Sequence, residues 1–340
     1  MTQEFDTVII EAISACVPKN KVDNLYFDDI LDSKEIRKFE KTTGIINRRY
    51  ADKDITASDL GYKAAKKILE DKKCSESVTT LIFLSQTPDY KIPFTSNILQ
   101  DRLGLSETTL CLDINAGCAG FVQGLSVAYS IASNSRGKVL LVIAETLSKI
   151  LTKEDRSTSM LFGDAATAIL ISKDTKQKEK SFFSFHSDGK NSDAIQIPEG
   201  GYRYPFNENS IDNKSIYLKM DGSKVFDFTL REIPKSIECF FESSKLNKEK
   251  IDYFLFHQSN KFIIKQIASK LSLDKDKVLL NIDRFGNTSG VSIPLLIVTE
   301  LKNLNKDLRL LCTGYGSGLN WGNTSILINA KTKIYTLIEY

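Results

Sequence analysis

The sequence predicts an α/β fold in which two copies of one α/β unit follow each other along the chain. Strand-like apolar runs recur in the same order: LIFLSQ at Leu81–Gln86 resembles YFLFHQ at Tyr253–Gln258. Next, LCLDINAGCAGF, ending at Phe121, resembles LLNIDRFGNTSG, ending at Gly290. Repetition of whole segments in order indicates duplication of one supersecondary unit.

Two further pairs of runs extend this internal repeat. KVLLVIAET, which starts at Lys138, parallels DLRLLCTGYG, which starts at Asp307. GDAATAILIS, which starts at Gly163, parallels WGNTSILINA, which starts at Trp321. Short apolar strands of this kind, alternating with helices, are typical of largely buried sheets covered by helices.

Amphipathic patterns predict helices between the strands, for example over Thr56–Leu69 and Asn260–Leu271, where apolar residues recur every three to four positions. A polar stretch followed by a Gly-, Tyr- and Asn-rich stretch predicts a connection between the two copies. We therefore expect an N-terminal half at 1–172, a connecting segment at 173–215 and a C-terminal half at 216–340.

Composition excludes several classes of protein. The 340 residues are 41% hydrophobic and 26% charged, which supports a globular core and excludes disorder for the bulk of the chain. The net charge of +3 is too small to indicate a nucleic-acid binder. Apolar runs such as Val139–Ala144 are far shorter than the roughly 18 residues that span a bilayer. The N-terminus lacks the pattern of a signal peptide, so we expect a cytoplasmic protein that does not contact membranes.

Cys118 is the candidate nucleophile among six cysteines, of which no two have C-x-x-C spacing. The segment DINAGCAGF predicts a strand, a turn of small residues and a helix, with Cys118 near the helix N-terminus. The N–H groups and dipole of a helix N-terminus favour a thiolate, which predicts a lowered pKa for Cys118. The alternative interpretation is a small residue packed where strand and helix meet.

His257 and Asn287 are the candidate partners of this cysteine. His257 ends a strand-like run in the second copy, and Asn287 lies near the repeat position equivalent to Cys118. Taken singly, a histidine at a strand end can be structural, and GNTS indicates a turn. Because ligands collect at the ends of strands in α/β sheets, duplication predicts that all three residues meet at one edge.

Seven motifs along almost the whole chain are highly specific in their order: TTGIINRRYAD from Thr42, INAGCAGF around Cys118, EDRSTSMLFGDAATAIL from Glu154, MDGSKVFDF from Met220, HQSN from His257, FGNTSGVSIP from Phe285 and GYGSGLNWG from Gly314. With these motifs the chain resembles β-ketoacyl-acyl carrier protein synthase III, a condensing enzyme of the thiolase fold. The resemblance implies a five-layered αβαβα arrangement of two duplicated halves.

The resemblance implies a two-step reaction in fatty-acid or related acyl-chain biosynthesis. Cys118 takes an acyl group from a thioester, either coenzyme A or a carrier protein, and backbone N–H groups of Cys118 and Ser317 form the oxyanion hole. His257 and Asn287 then donate hydrogen bonds to malonyl-acyl carrier protein as it loses CO₂ and attacks the acyl group. No cofactor and no metal are implied.

Several binding residues follow from the same resemblance. Arg156 matches a basic residue at the coenzyme entrance, and an exposed ion-paired arginine is the alternative. Ile92 matches a residue that reaches the acyl pocket of a partner subunit, so we expect a homodimer. Lys261 and Lys265 are candidates for contacting an acidic carrier protein, with a solvated helix face as the alternative.

The sequence also departs from the family in two places. Ser317 stands where the family usually has glycine, so its side chain is expected to narrow the pocket. The segment IRKFEKTTGI lacks the tryptophan that commonly precedes the TGI motif, and Thr42 stands where the family has arginine. The departure before the TGI motif leaves the identity of the acyl donor open.

Other functions remain as alternatives. A thiolase-fold acyltransferase or specialised-metabolite ketosynthase would pass the acyl group from Cys118 to another nucleophile. A non-catalytic partner subunit would have a degraded Cys-His-Asn set, whereas all three residues are present. A zinc site at Cys118 and His257 would need further ligands at suitable spacing, which the sequence does not offer.

Overall fold

A computed structural model describes residues 2–212, 214–302 and 304–340 as a mixed α/β protein. The strands are β1 (Thr2–Phe5), β2 (Val8–Val17), β3 (Lys21–Asp23), β4 (Asn47–Arg49), β5 (Val78–Leu84), β6 (Leu110–Ile114), β7 (Lys138–Glu145), β8 (Ala165–Lys173), β9 (Ser181–Ser187), β10 (Ile195–Gln196), β11 (Lys219–Met220), β12 (Tyr253–Phe256), β13 (Leu308–Gly316), β14 (Asn320–Ile328), β15 (Lys333–Ile334) and β16 (Ile338–Glu339). The helices are α1 (Ser33–Thr43), α2 (Ala57–Lys72), α3 (Thr95–Arg102), α4 (Gly120–Asn134), α5 (Asn209–Asp212), α6 (Gly222–Ser244), α7 (Lys261–Lys270), α8 (Ile282–Phe285) and α9 (Ser292–Glu300).

Two large sheets form the body of the protein. The first has the order β15-β2-β8-β7-β5-β6, with β16 also paired to β2, and the second has the order β1-β9-β14-β13-β12. In both sheets the corresponding strands run in the same relative directions, because β5 and β7 are parallel like β12 and β13, whereas β8 and β14 are antiparallel to their neighbours. The internal repeat in the sequence therefore corresponds to a repeated sheet topology.

Helices cover and separate the two sheets. Helix α2 packs on the outer face of the first sheet, while α6 packs on the second sheet and against α7. Helices α4 and α9 contact strands of both sheets, and their apolar residues belong to the core cluster that joins the sheets. This gives the expected five layers, αβαβα, with a central layer buried on both sides.

The segment 173–215, which we expected to connect the halves, contributes strand β9 to the second sheet. Strand β9 occupies the place beside β14 that β2 occupies beside β8. The two ends of the chain also cross over, since β1 lies in the second sheet and β15 and β16 lie in the first. The second sheet thus begins earlier along the chain than residue 216.

Over residues 2–212, 214–302 and 304–340, the helices are too short or too polar to cross a membrane.

Candidate active site

Cys118 lies between strand β6 and helix α4, directly before the Ala119 N-cap of the helix. Small residues around it allow the two halves to approach closely. A Cβ atom on Gly316, which ends β13, would lie 2.6 Å from the Cys118 Cβ. A Cβ atom on Gly117 would lie 2.3 Å from the Gln86 side-chain oxygen. The glycines in these motifs are therefore needed for space around the sulfur.

His257 directly follows strand β12 and is fixed through both backbone and side chain. Its backbone N–H donates to the Thr313 carbonyl of β13 at 2.8 Å, continuing the pairing of the two strands. Its Nδ1 lies 2.8 Å from the Ser292 Oγ, which also accepts a hydrogen bond from the Gln258 N–H. With Nδ1 engaged by Ser292, Nε2 is the ring nitrogen left to interact with a ligand.

Asn287 lies in the turn between α8 and α9, which is held against the loop before β8. Its backbone N–H donates to the Leu161 carbonyl at 2.8 Å, and its carbonyl accepts from the Gly163 N–H at 3.0 Å. Gly286 enters this turn with a φ of +64°, in the left-handed region that favours glycine. The Asn287 Oδ1 accepts from the Ser289 N–H at 2.9 Å, so the two amide hydrogens on Nδ2 are left to donate elsewhere.

These three side chains line one cavity of about 380 Å³. Ser289 lies between them: the Cys118 thiol donates to its Oγ at 3.7 Å, and its backbone N–H donates to Asn287. Elsewhere the lining is mainly apolar, as an acyl chain would require, and includes Leu147, Ile150, Leu161, Phe162, Ile195, Ile197, Leu218, Met220, Val225 and Phe226.

Burial determines the charge states at the site. It lowers the pKa of His257 to about 3, against a smaller opposite effect of the Ser289 backbone, so the imidazole is neutral. It raises the pKa of Cys118 to about 12, and the hydrogen bond to Ser289 opposes this only in part. The lowered pKa predicted for Cys118 is therefore wrong, because removal of the sulfur from water raises the pKa.

Ser317, the second predicted oxyanion donor, also lines the cavity. Its side chain accepts a hydrogen bond from the Gln86 Nε2 at 3.2 Å. Its carbonyl accepts from the Asn320 side chain at 2.9 Å.

The other predicted binding residues lie outside the lining of this cavity. Arg156 is exposed, forms an ion pair with Glu35 at 3.0 Å and donates to the Ile30 carbonyl. Ile92 precedes α3 and its side chain is 81% exposed.

The two predicted lysines lie on α7. Lys261 is half-buried, and its stem fills the space beside Gly44, where a Cβ would lie 2.7 Å from the lysine Cδ. It lines a separate surface cavity together with Arg37 and Lys41. Lys265 is exposed, one helical turn further along.

Sequence reasoning missed four residues that shape the site: Gln86, Glu145, Ser289 and Ser292. The two serines belong to the FGNTSGVSIP motif, and Gln86 ends the first strand of the repeat, so position alone could have indicated them. Glu145 carries no comparable signal. It ends an apolar strand, is fully buried, and burial raises its pKa to about 7.

Comparison with known proteins agrees with this site. Residues 112–189 match the family model of 3-oxoacyl-[acyl-carrier-protein (ACP)] synthase III, and residues 241–328 match the model of its C-terminal part. These two matches include Cys118, His257 and Asn287.

Relatives of known sequence and structure cover nearly the whole chain. The beta-ketoacyl-[acyl-carrier-protein] synthase III of Fusobacterium nucleatum is 35% identical over 95% of this chain and 99% of its own length. The enzyme of the same name from Clostridioides difficile is 36% identical over 92% of this chain and 96% of its own. The crystal structure of 3-oxoacyl-(acyl-carrier protein) synthase from Burkholderia xenovorans superposes with a TM-score of 0.94 at 35% identity, over 100% of this chain and 99% of that one. The chain therefore belongs to the 3-oxoacyl-[acyl-carrier-protein] synthase III family.

Proposed function

We propose that this protein condenses an acyl group held on Cys118 with malonyl-acyl carrier protein, releasing CO₂ and a β-ketoacyl thioester. The observation that carries the proposal is the single cavity lined by a thiol, a neutral imidazole and an amide, with an apolar wall beside them. Membership of the synthase III family supports the same reaction.

In the first step, the Cys118 sulfur attacks the carbonyl carbon of an acyl thioester. The carbonyl oxygen becomes negative and is stabilised by the backbone N–H groups of Cys118 and Ser317. The C–S bond of the donor then breaks, and the departing sulfur takes the proton that Cys118 loses. The products are acyl-Cys118 and a free thiol.

In the second step, the malonyl thioester loses CO₂ while His257 and Asn287 donate hydrogen bonds to its carbonyl oxygen. The neutral imidazole suits this role because its remaining N–H can donate without first binding a proton. The resulting enolate carbon attacks acyl-Cys118, the C–S bond to Cys118 breaks, and the sulfur regains a proton from solvent.

The acyl donor is identified by mass spectrometry of the intact protein after incubation with acyl-coenzyme A and acyl-carrier donors of different chain length. We expect a mass increase on Cys118 with one class of donor, and none in a Cys118→Ser variant. The exposed Cys239 supplies the matched control, since Cys239→Ser should be acylated like the wild type. Acylation that persists in Cys118→Ser would contradict the proposal.

The protein acts as a homodimer in which Ile92 helps to set the acyl chain length. Ile92, Tyr90 and Phe94 expose large apolar side chains in one loop, a pattern typical of an interaction surface. Strand β6, at the edge of the first sheet, also exposes Leu110. Light scattering should give the mass of two chains, and Ile92→Phe should shorten the preferred acyl chain. A monomeric protein with an unchanged preference would exclude this role.

Lys261 and Lys265 contact the acidic carrier protein, and Arg156 lies at the coenzyme entrance. Lys261 shares its surface cavity with the basic Arg37 and Lys41 and with the acidic Glu40 and Asp283. The basic side chains are in excess, which supports attraction of an acidic partner. Charge reversal at both lysines should raise KM for malonyl-carrier protein and reduce its dependence on salt. Arg156→Ala should raise KM for an acyl-coenzyme A donor only. Unchanged KM values would favour the alternatives, namely a solvated helix face for Lys261 and Lys265 and an exposed ion pair for Arg156.

A further inference from the structure

A glutamine side chain joins the two halves of the protein beside the nucleophile. Gln86 follows strand β5 of the first sheet, and Ser317 lies between β13 and β14 of the second. The Gln86 Nε2 donates to the Ser317 Oγ at 3.2 Å, and both residues line the cavity of Cys118. The Ser317 side chain is thus held by the first half.

Gln86 is itself firmly anchored. Its backbone N–H lies 3.1 Å from each carboxylate oxygen of the fully buried Glu145. The same carboxylate accepts from the Ser85 Oγ at 3.2 Å and the Thr87 Oγ1 at 2.8 Å. The three consecutive residues of this loop are therefore fixed around one acidic group.

The other end of the glutamine amide lies against the residue before the nucleophile. A Cβ atom on Gly117 would lie 2.3 Å from the Gln86 Oε1 and 2.8 Å from the Ser317 Oγ. Gln86 thus packs against the segment that presents the Cys118 N–H and, at the same time, bonds to Ser317. Cys118 and Ser317 supply the proposed oxyanion donors, one from each half.

Ser317 lies in the tight turn between β13 and β14, and its neighbour Gly316 pairs with Asn320 at the ends of those strands. Its other neighbour, Gly318, has a φ of +127°, a conformation that side chains other than glycine rarely adopt. The Asn320 side chain donates to the Ser317 carbonyl, at the C-terminal side of the residue. The Ser317 N–H lies on the other side, in the peptide bond to Gly316. The bond from Gln86 adds a restraint on the Ser317 side chain that comes from the first half.

We propose that Gln86 is a positioning residue that holds the oxyanion donors of the two halves in register, an inference that rests on the proposed acyl transfer to Cys118. An oxyanion is stabilised only by donors within about 2.7–3.1 Å of it. A displacement of about 1 Å can cost roughly 100-fold in rate. Loss of the Gln86 amide should therefore slow acyl transfer and leave substrate binding little changed.

The test measures the single-turnover rate of Cys118 acylation by quenched-flow mass spectrometry for Gln86→Ala, Ser317→Ala and the double variant. We expect each single variant to be slower by about 10- to 100-fold, with KM changed less than about twofold. The double variant should be no slower than the slower single variant, because both substitutions remove the same contact. Gln177→Ala, in a turn outside the cavity, is the matched control.

Alkylation of Cys118 by iodoacetamide separates positioning from damage to the fold, because it forms no oxyanion. Gln86→Ala should be alkylated within about twofold of the wild-type rate while its acylation falls. Equal loss of both rates, unchanged acylation, or multiplied effects in the double variant would overturn the role of Gln86. Failure of the wild type to acylate Cys118 would overturn the proposed function itself, and this inference with it.

Discussion

At the residue scale, the pKa of the half-buried Cys118 thiol has a direct consequence for its reactivity. Burial raises its pKa to about 12, so the thiolate fraction grows with pH throughout the neutral range. We predict that alkylation by iodoacetamide accelerates about tenfold per pH unit between pH 6 and 9. Mass spectrometry of the Cys118 peptide gives this rate separately from that of exposed Cys239. A rate that levels off below pH 8 would indicate a lowered pKa and contradict this account.

The Ser292 hydroxyl is bonded to the imidazole of His257, with its Oγ 2.8 Å from Nδ1. Because this Oγ accepts from the Gln258 N–H, we infer that its hydroxyl donates to Nδ1, which puts the imidazole proton on Nε2. We predict that Ser292→Ala slows malonyl decarboxylation by roughly tenfold, about the value of one hydrogen bond. Acylation of Cys118 should change little, because that step uses backbone donors.

The two rates for Ser292→Ala can be measured separately. Release of labelled CO₂ reports decarboxylation, and intact mass reports acylation. Ser130→Ala is a suitable control, because the Ser130 hydroxyl donates to the Ser126 carbonyl within the same helix, α4. An equal loss of both rates would mean that Ser292 acts through packing and does not determine the position of the proton on the His257 imidazole.

The residues of the site were only partly predictable. Cys118, His257 and Asn287 have chemically distinctive side chains within recognisable motifs, and the structure brings all three to one cavity. The direction of the Cys118 pKa was predicted wrongly, because the helix N-terminus is visible in the sequence and the degree of desolvation is not. Glu145 was not predicted for a similar reason, because its burial depends on strands that are distant along the chain.

At the scale of elements, the turn that carries Asn287 depends on close contact with the loop before β8. A Cβ atom on Gly163 would lie 2.3 Å from the Phe285 carbonyl oxygen, a backbone atom that cannot move alone. We predict that Gly163→Ala lowers the free energy of unfolding by about 1–3 kcal/mol, the usual effect of overpacking. Urea denaturation measures the loss.

Gly189→Ala supplies the control for this effect, since an added Cβ there meets no atom within 4 Å. We expect its unfolding midpoint to stay close to that of the wild type. Equal unfolding midpoints for both variants would mean that the turn carrying Asn287 shifts at no cost and does not pack closely against the loop before β8.

Helix N-termini were predicted to within one residue where capping and periodicity agree, whereas α2 ends three residues later than expected. The helix expected over Thr56–Leu69 is α2, with Thr56 as its N-cap and Asp59 completing a capping box. The helix expected over Asn260–Leu271 is α7, with the Asn260 side chain accepting from the first turn. Both helices use local interactions, which the sequence displays directly.

At the scale of the whole molecule, the duplication was evident while the exchange of strands was not. Strands β5, β7 and β8 repeat as β12, β13 and β14, which are three of the four pairs of runs that recur in the sequence. In the fourth pair, β6 has only an isolated bridge between Phe254 and Val278 as its counterpart. The repeat is not recognisable in strand β9, because its sequence SFFSFHS has little similarity to that of β2 and lies between polar segments. Its place beside β14 is fixed by long-range pairing, which local patterns do not display.

Stability of the whole protein should depend on pH through Glu145. Burial raises its pKa to about 7, above the value of an exposed glutamate, so the folded state binds more protons than the unfolded state between about pH 4.5 and 7. The contribution of Glu145 to stability is therefore present at low pH and is lost as pH rises through 7. Each pH unit in this window costs up to about 1.4 kcal/mol.

Replacing this glutamate by glutamine removes the titration while keeping the shape of the side chain. We predict that the free energy of unfolding of Glu145→Gln declines less between pH 5 and 7 than that of the wild type. His257 has the opposite sign, because its lowered pKa reduces stability as pH falls below about 6.5, and it is common to both proteins. Parallel pH profiles for the two proteins would exclude Glu145 as the source.

The central claim, that the first half carries the acyl group and the second half generates the carbanion, is tested most directly by adding the substrates in sequence to wild type and Asn287→Ala. Both proteins should gain an acyl mass on Cys118, and malonyl-carrier protein should then discharge the wild type with release of CO₂. Asn287→Ala should discharge about 100- to 1,000-fold more slowly. Equal discharge rates, or an Asn287→Ala variant that cannot be acylated, would contradict the claim.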